Sequence, residues 1–350
     1  MNAGAKAPTL HDVARAAGVS LATASRSLNG SERKVNEEYR VRVLAAAAEL
    51  GYTPNLSAQA VAKGTTMTVA LLVGDIADPY FSSIAAGVIR ASEEAGLIVT
   101  MAATERDATR ELDLVKALRG QRPRVLILAG SRFAGEETQP ALAAELDAFE
   151  STGGRVVFIS QPELPFDTVL LDNYGGARQL ARALVDLGYR RFAAISGSES
   201  LLTARDRLTG FMDGLAEHAL SIPTEHIVHT EFTRDGGYDA ATELLQRGID
   251  EVELVFAVND VMAVGAMSAL REGGRIPGET IALAGYDDIP TVRDVTPALT
   301  TVRIPLEDVG RQAVELALAP KSDRETATPI AATVVLRGST PVLATTAVTD

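Results

Sequence analysis

From Met67 to Gly285 the chain repeats one pattern, a short apolar run followed by a longer amphipathic stretch that stops at a glycine. The runs fall at 69–73, 98–102, 125–129, 156–160, 168–172, 192–196, 227–229, 254–258 and 281–285. Continuous apolar runs of this kind suit strands buried on both faces, and their alternation with helices marks parallel α/β sheets. The intervening helices are expected to end at Gly96, Gly120, Gly188, Gly248 and Gly273, because glycine takes a left-handed C-cap without steric cost. Nine strands are too many for one compact sheet, but the pattern alone gives only a doubly wound α/β class. Ligands of such sheets sit beyond the carboxyl ends of the strands, so the residues that follow each run are the candidate site residues.

The first 64 residues read differently. Thr9 is a good N-cap with Asp12 at N3, Val13 and Ala17 share a face, and Gly18 ends a helix of two turns. Val19 turns inward, and Ser20 caps a second short helix that runs from Leu21 towards Asn29 and closes at Gly30. Ala24 and Leu28 give this helix one narrow buried face; Leu21, Ala22, Ser25 and Arg26 lie opposite, with Thr23 and Asn29 at the edges. Helices this short are not stable alone in water, so the pair is expected to form a helix-turn-helix resting on a third helix. That helix starts at Asn36, stops at Gly51, and is expected to close the head with Val41, Leu44, Ala45 and Ala48. Pro54 then breaks the chain, and the stretch up to Gly64 is too short to be helical by itself.

Charge separates the same two parts. The chain carries a net charge of −13, yet residues 1–64 hold eight Lys/Arg against five Asp/Glu. A cationic head on an acidic body attracts phosphate at one end and repels it elsewhere. Cysteine and tryptophan are absent, which excludes disulfides and thiolate metal sites. No apolar stretch reaches the roughly 18 residues of a membrane span, and the first eight residues lack a signal-peptide core, so a soluble cytoplasmic protein is expected. No GxSxG, P-loop or GxGxxG appears, so no enzyme and no cofactor is expected. His226 and His229, with His218 and neighbouring glutamates, form the one cluster that resembles a metal site. Because 227–229 reads as a strand, its side chains would point apart, and no metal is expected.

The run TLHDVARAAGVSLATASRSLNG at 9–30 and the run VNEEYRVRVLAAAAELGYTPNLSAQAVAKG at 35–64 resemble the head and hinge of the lactose-repressor/galactose-repressor (LacI/GalR) family of bacterial transcription regulators. DPYF at 78–81, ARDRLTGF at 204–211, VNDVMAVGAM from 258 and AGYDD ending at 288 follow in family order, and the likeness extends to about residue 340. The resemblance implies an all-α helix-turn-helix head at 1–54, a hinge helix at 55–64 and a two-lobed α/β core like a periplasmic binding protein. The N-terminal lobe would be 65–172 plus 303–330, the C-terminal lobe 173–302 plus 331–343, and 344–350 a tail; three crossovers would fall near 172, 302 and 331. A transported-solute binding protein shares this core but not the head.

For DNA, the resemblance implies a homodimer, with a tetramer as alternative, on a palindromic operator. Leu21, Ala22 and Arg26 would read base edges. Thr23, Ser25, Asn29 and Tyr39 would hold phosphates, and Thr9, Ser20, Asn55 and Ala58 complete the DNA-facing set. Val61 stands where the family usually places an intercalating leucine. For the effector, the implied residues are Asp78, Tyr80, Phe81, Ser160, Arg207, Phe232, Asn259 and Asp287. Helix capping and core packing would account equally well for Asp78 and Phe81, and Arg205 competes with Arg207. Asp78 replaces a more usual asparagine, Ser160 an acid of some members, and Phe232 a tryptophan of others. The expected output is repression controlled by a sugar, ahead of a nucleobase, with activation or co-repression as the alternative.

Overall fold

The computed structural model describes residues 8–29, 35–53, 66–322 and 326–343. The chain divides into two compact units, 1–66 and 67–350. The expected hinge residues Asn55, Ala58 and Val61, as well as Gly30 and the tail, lie outside the described residues.

In the first unit, α1 (Leu10–Ala17), α2 (Leu21–Asn29) and α3 (Glu37–Leu50) enclose a small core of Val13, Ala14, Ala17, Ala24, Val43, Ala46 and Ala47. The caps are those the sequence implies. Thr9 and Asp12 form a reciprocal capping box, Gly18 takes φ +63°, and Asn36 accepts the Glu38 amide at 2.9 Å. The buried stripe of α3 is not the expected one: Val41 and Leu44 are 57% and 42% exposed, with Ala45 and Ala48 also outside, and Val43, Ala46 and Ala47 face inward instead. Valines, leucine and alanines surround this helix almost completely, so helical spacing fits either stripe and tertiary contacts decide. Arg42 makes one such contact, donating to the Ala17 carbonyl at the end of α1.

The second unit begins with β1 (Thr68–Val73), β2 (Ile98–Ala103), β3 (Val125–Ala129), β4 (Arg155–Ser160) and β5 (Asp167–Leu171), linked by α4 (Pro79–Glu94), α5 (Ala108–Gln121) and α6 (Gln139–Ser151). After β5 come α7 (Asn173–Asp186), β6 (Phe192–Ser196), α8 (Leu202–Ala216), β7 (Ile227–His229), α9 (Arg234–Arg247), β8 (Leu254–Ala257), α10 (Asp260–Glu272) and β9 (Ala282–Ala284). The chain ends through β10 (Thr301–Arg303), α11 (Leu306–Leu318), β11 (Ala327–Ile330) and β12 (Thr333–Val335). One parallel sheet has the order β11-β5-β4-β3-β1-β2, the other β7-β6-β8-β9, and β10 pairs antiparallel with β12. Alternate residues of β1 feed opposite cores, Val69, Leu71 and Val73 into one and Ala70 and Leu72 into the other. This is the doubly wound arrangement with both sheet faces covered.

All nine expected strands are present, with ends within one residue of their apolar runs. The helix expected to stop at Gly120 continues to Gln121, and Arg122 takes the left-handed position at φ +54°. α4 and α11 pack where two glycines meet: a Cβ on Gly87 would lie 1.9 Å from the Glu307 carbonyl oxygen, and one on Gly310 would lie 2.1 Å from that of Ile84. Among the described residues no helix is long and apolar enough to cross a membrane.

Candidate functional site

Two surfaces gather the candidate residues. On α2, Ala24 and Ser27 are buried and Leu28 partly so, which turns Leu21, Ala22 and Arg26 outward. Ser20 accepts the Thr23 amide at 3.1 Å and its hydroxyl lies 2.8 Å from that of Thr23. Thr23 is therefore engaged in the cap while it remains half-exposed, as does Ser25. Thr9 donates its hydroxyl to Asp12 at 2.6 Å. Tyr39, 42% exposed, carries the Arg42 guanidinium 5.7 Å from its ring centre. Only the backbone of Asn29 is described.

In the second unit, Asp78, Tyr80, Phe81, Ser160, Arg207, Phe232, Asn259 and Asp287 all line one cleft. Its position follows from the topology. Asp78 caps α4 after β1, accepting the Tyr80 amide at 3.0 Å, and Asn259 caps α10 after β8, accepting the Met262 amide at 2.8 Å. Asp287 follows β9 at φ +116°, a conformation that a residue with a Cβ keeps only when its surroundings fix it. Arg207 lies within α8, 1% exposed, and each of its three nitrogens donates one bond to the chain. Its Nε donates to Asn173 Oδ1 at 2.9 Å, Nη1 to the Val258 carbonyl at 2.8 Å and Nη2 to Asp287 Oδ1 at 2.7 Å, with the Tyr286 ring centre 4.0 Å away. Its competitor Arg205 is half-exposed beside Asp206 and does not line the cleft. Tyr80 and Phe81 meet edge to face, and Phe232 packs over Gly197, where a Cβ would come within 2.8 Å of the ring. Ser160 is buried and donates to Gln161 Oε1 at 3.0 Å.

Several lining residues escaped the sequence reading. Arg106 donates to Asp75 and Asp78, both at 3.1 Å, and Arg132 grips Glu111 through two bonds of 2.7 and 2.6 Å. Arg106 and Asp107 follow β2, so the strand-end rule that found Asp78 also reaches them. Other bonds span the cleft. Ala134 N donates to the Ser200 carbonyl at 2.8 Å, Leu202 N to that of Arg132 at 3.0 Å, Thr203 N to Ser131 Oγ at 3.0 Å, and Gln161 Nε2 to Thr203 Oγ1 at 2.8 Å.

Burial dominates the carboxylates here. It pushes Asp287 up to about 7 against the pull of Arg207, with Asp78 adding to the rise. Burial, and then the charge of Asp287, hold Asp260 well above the usual range, while Thr301 and the Ile289 amide bond its two oxygens. Burial likewise raises Asp78, opposed by the Tyr80 amide and Arg106. Near the histidines of 218–229, His229 Nδ1 lies 2.8 Å from the Gly197 carbonyl oxygen, and no group of three metal-binding side chains occurs among the described residues.

A helix-turn-helix head and a two-sheet core whose cleft sets a few polar side chains among apolar walls define the class of ligand-responsive DNA-binding regulators. Comparison with known proteins narrows the class. Residues 9–55 match the family model "Bacterial regulatory proteins, lacI family", and 66–336 match "Periplasmic binding proteins and sugar binding domain of LacI family". The chain is 35% identical to the regulator GalR of Escherichia coli K12 over 90% of each protein. It is 34% identical to CelR of Thermobifida fusca over 92% of this chain and 94% of the relative. Among solved structures, the CelR–cellobiose complex superposes with TM-score 0.69 at 31% identity, covering 95% of this chain and 99% of that one. The lac repressor dimer bound to operator and the anti-inducer ONPF gives 0.81 at 26% identity, covering 96% and 100%. The chain belongs to the LacI family and is a DNA-binding transcriptional regulator, not an enzyme.

Proposed function

We propose that this regulator is a cytoplasmic repressor, a homodimer on a palindromic operator, whose cleft takes an uncharged sugar. One observation carries the choice of ligand. Each of the three arginines that line the cleft is tied to a carboxylate of the chain itself: Arg106 to Asp75 and Asp78, Arg132 to Glu111, Arg207 to Asp287. Among the described residues no lysine lines the cleft, whereas Asp78, Asp107, Glu111, Glu136 and Asp287 do. A phosphate or carboxylate on the ligand would meet a wall with surplus negative charge and no uncommitted cation. A neutral polyol offers hydroxyls to Asp78, Arg207, Asn259 and Asp287, and the C–H face of its ring suits Tyr80, Phe81 and Phe232. The cellobiose complex of the CelR relative supports the same class.

The proposed organisation keeps the head at 1–54, the hinge at 55–64 and the lobes at 65–172 plus 303–330 and 173–302 plus 331–343. Leu21, Ala22 and Arg26 read bases, Thr9, Ser20, Thr23, Ser25, Asn29 and Tyr39 hold the backbone, and Asn55, Ala58 and Val61 serve the hinge. Thermal-shift titration of the full chain with neutral sugars, polyols, sugar phosphates and nucleobases tests the ligand class. A ligand at 100 times its Kd adds about 2.7 kcal/mol of stability. The reading expects a shift with a neutral sugar that is lost in Asn259→Ala. A shift with sugar phosphates or nucleobases alone would refute it.

A further inference from the structure

Two adjacent carboxylates leave β9 in opposite directions. Asp287 faces the cleft and holds Arg207, while Asp288, at φ +57°, sends a fully buried side chain towards the paired strands β10 and β12. There it collects three arginines. Arg337 Nη2 donates to Oδ1 at 2.6 Å, Arg303 Nε to Oδ2 at 2.6 Å and Arg293 Nη2 to Oδ2 at 3.2 Å. Arg303 is the last residue of β10, and Arg337 follows β12 by two residues. One carboxylate therefore fastens both connecting strands, through bonds to both of its oxygens. The backbone adds to the fastening: Asp287 N donates to the Val302 carbonyl at 2.8 Å, and Ile304 N to that of Asp287 at 3.3 Å. Arg337 also donates to the Leu299 carbonyl at 2.7 Å, so its guanidinium cannot follow Asp288 without loosening its hold on the segment that leads into β10.

Asp288, at φ +57°, occupies the small left-handed region, and Asp287, at φ +116°, lies outside the favoured regions altogether and is kept there by its surroundings, so the backbone of neither turns freely. A change at the Asp287 carboxylate that moves its backbone therefore carries Asp288 with it. We propose that Asp288 is the positioning residue that transmits a change at the Asp287–Arg207 pair to the β10–β12 connection between the two sheets, and so couples cleft occupancy to operator affinity. The proposal rests on the reading of the cleft as the effector site. Its distinguishing feature is that Asp288 touches neither the cleft wall nor Arg207, yet controls what the connection feels.

Hydrogen exchange of the full chain tests the transmission without any ligand. The amides of Ile304 and of the β10–β12 ladder are followed in wild type, Asp287→Asn, Asp288→Asn and the double variant. Neutralising Asp287 should speed their exchange at least tenfold in the wild-type background and leave it unchanged in the Asp288→Asn background. A purely structural Asp288 would instead give additive changes in the two backgrounds, and that result, or no response of these amides to Asp287→Asn, overturns the proposal. If Asp288→Asn fails to fold, Arg303→Gln replaces it; this arginine is half-exposed, so its loss leaves Asp288 with Arg337 and Arg293. If no neutral sugar stabilises the wild type, the reading of the cleft fails, while the exchange cycle still decides the role of Asp288.

Discussion

Arg26 in the first unit and Asp287 in the second are single side chains whose proposed roles can be measured directly. Arg26 projects from the exposed face of α2, where a guanidinium can fork onto guanine. Arg26→Ala should cost about 1–3 kcal/mol on the cognate operator and relax the preference at one base position, measured by titration against operator variants. Equal loss on scrambled DNA would reduce Arg26 to a phosphate contact. Asp287 gives a pH prediction of unusual sign. Its folded pKa, raised by burial to about 7, exceeds that of an unfolded aspartate, so the native state binds the extra proton. Stability from this group is therefore present at low pH and falls as pH rises from about 4 to about 7. Wild type should lose stability relative to Asp287→Asn across that window in denaturant titrations; a constant difference would place the titration elsewhere. Asp287 and Asn259 were legible in the sequence because each follows an apolar run. Arg106 and Arg132 also follow apolar runs and were within reach of the same rule, but the carboxylates that tie them, 28 and 21 residues away, are not revealed by spacing.

At the level of elements, the nine strands that alternate with amphipathic helices announced themselves, β7 and β9 with three residues each included, and the three that follow did not. β10, β11 and β12 have three or four residues each, and β11 includes Pro329, which a sheet tolerates at its edge. They lie outside the alternation of apolar runs and helices that marked the equally short β7 and β9, although they carry the connections between the sheets. α3 failed for the opposite reason, being apolar on more sides than one. Glycines separate packing from propensity. Gly310→Ala should force α4 and α11 apart and lower stability by about 1–3 kcal/mol or more, because its Cβ would strike the Ile84 carbonyl. Gly120→Ala, in a helix with open space around it, should raise stability by about 0.5–1 kcal/mol. Denaturant midpoints of the two variants moving in the same direction would contradict this account.

For the molecule as a whole, the division of charge was visible from composition, and the split of the core into two sheets came from the family likeness. A hinge prediction belongs at this scale: Val61→Leu should tighten operator binding or increase DNA bending, because leucine fills an opened base step better than valine. Unchanged affinity and bending would remove Val61 from the mechanism. The bonds from Ser131, Arg132 and Ala134 to Ser200, Leu202 and Thr203 lie beside the residues that would hold the ligand. A molecule that enters between these segments would wait for them to part. Its capture should then follow saturating kinetics, the observed rate levelling off with concentration at the frequency of opening. Stopped-flow mixing would read that plateau directly, and a rate rising linearly throughout would mean another entrance. The same fastening slows departure, so the regulator would respond to how long a nutrient persists and filter out brief pulses of it.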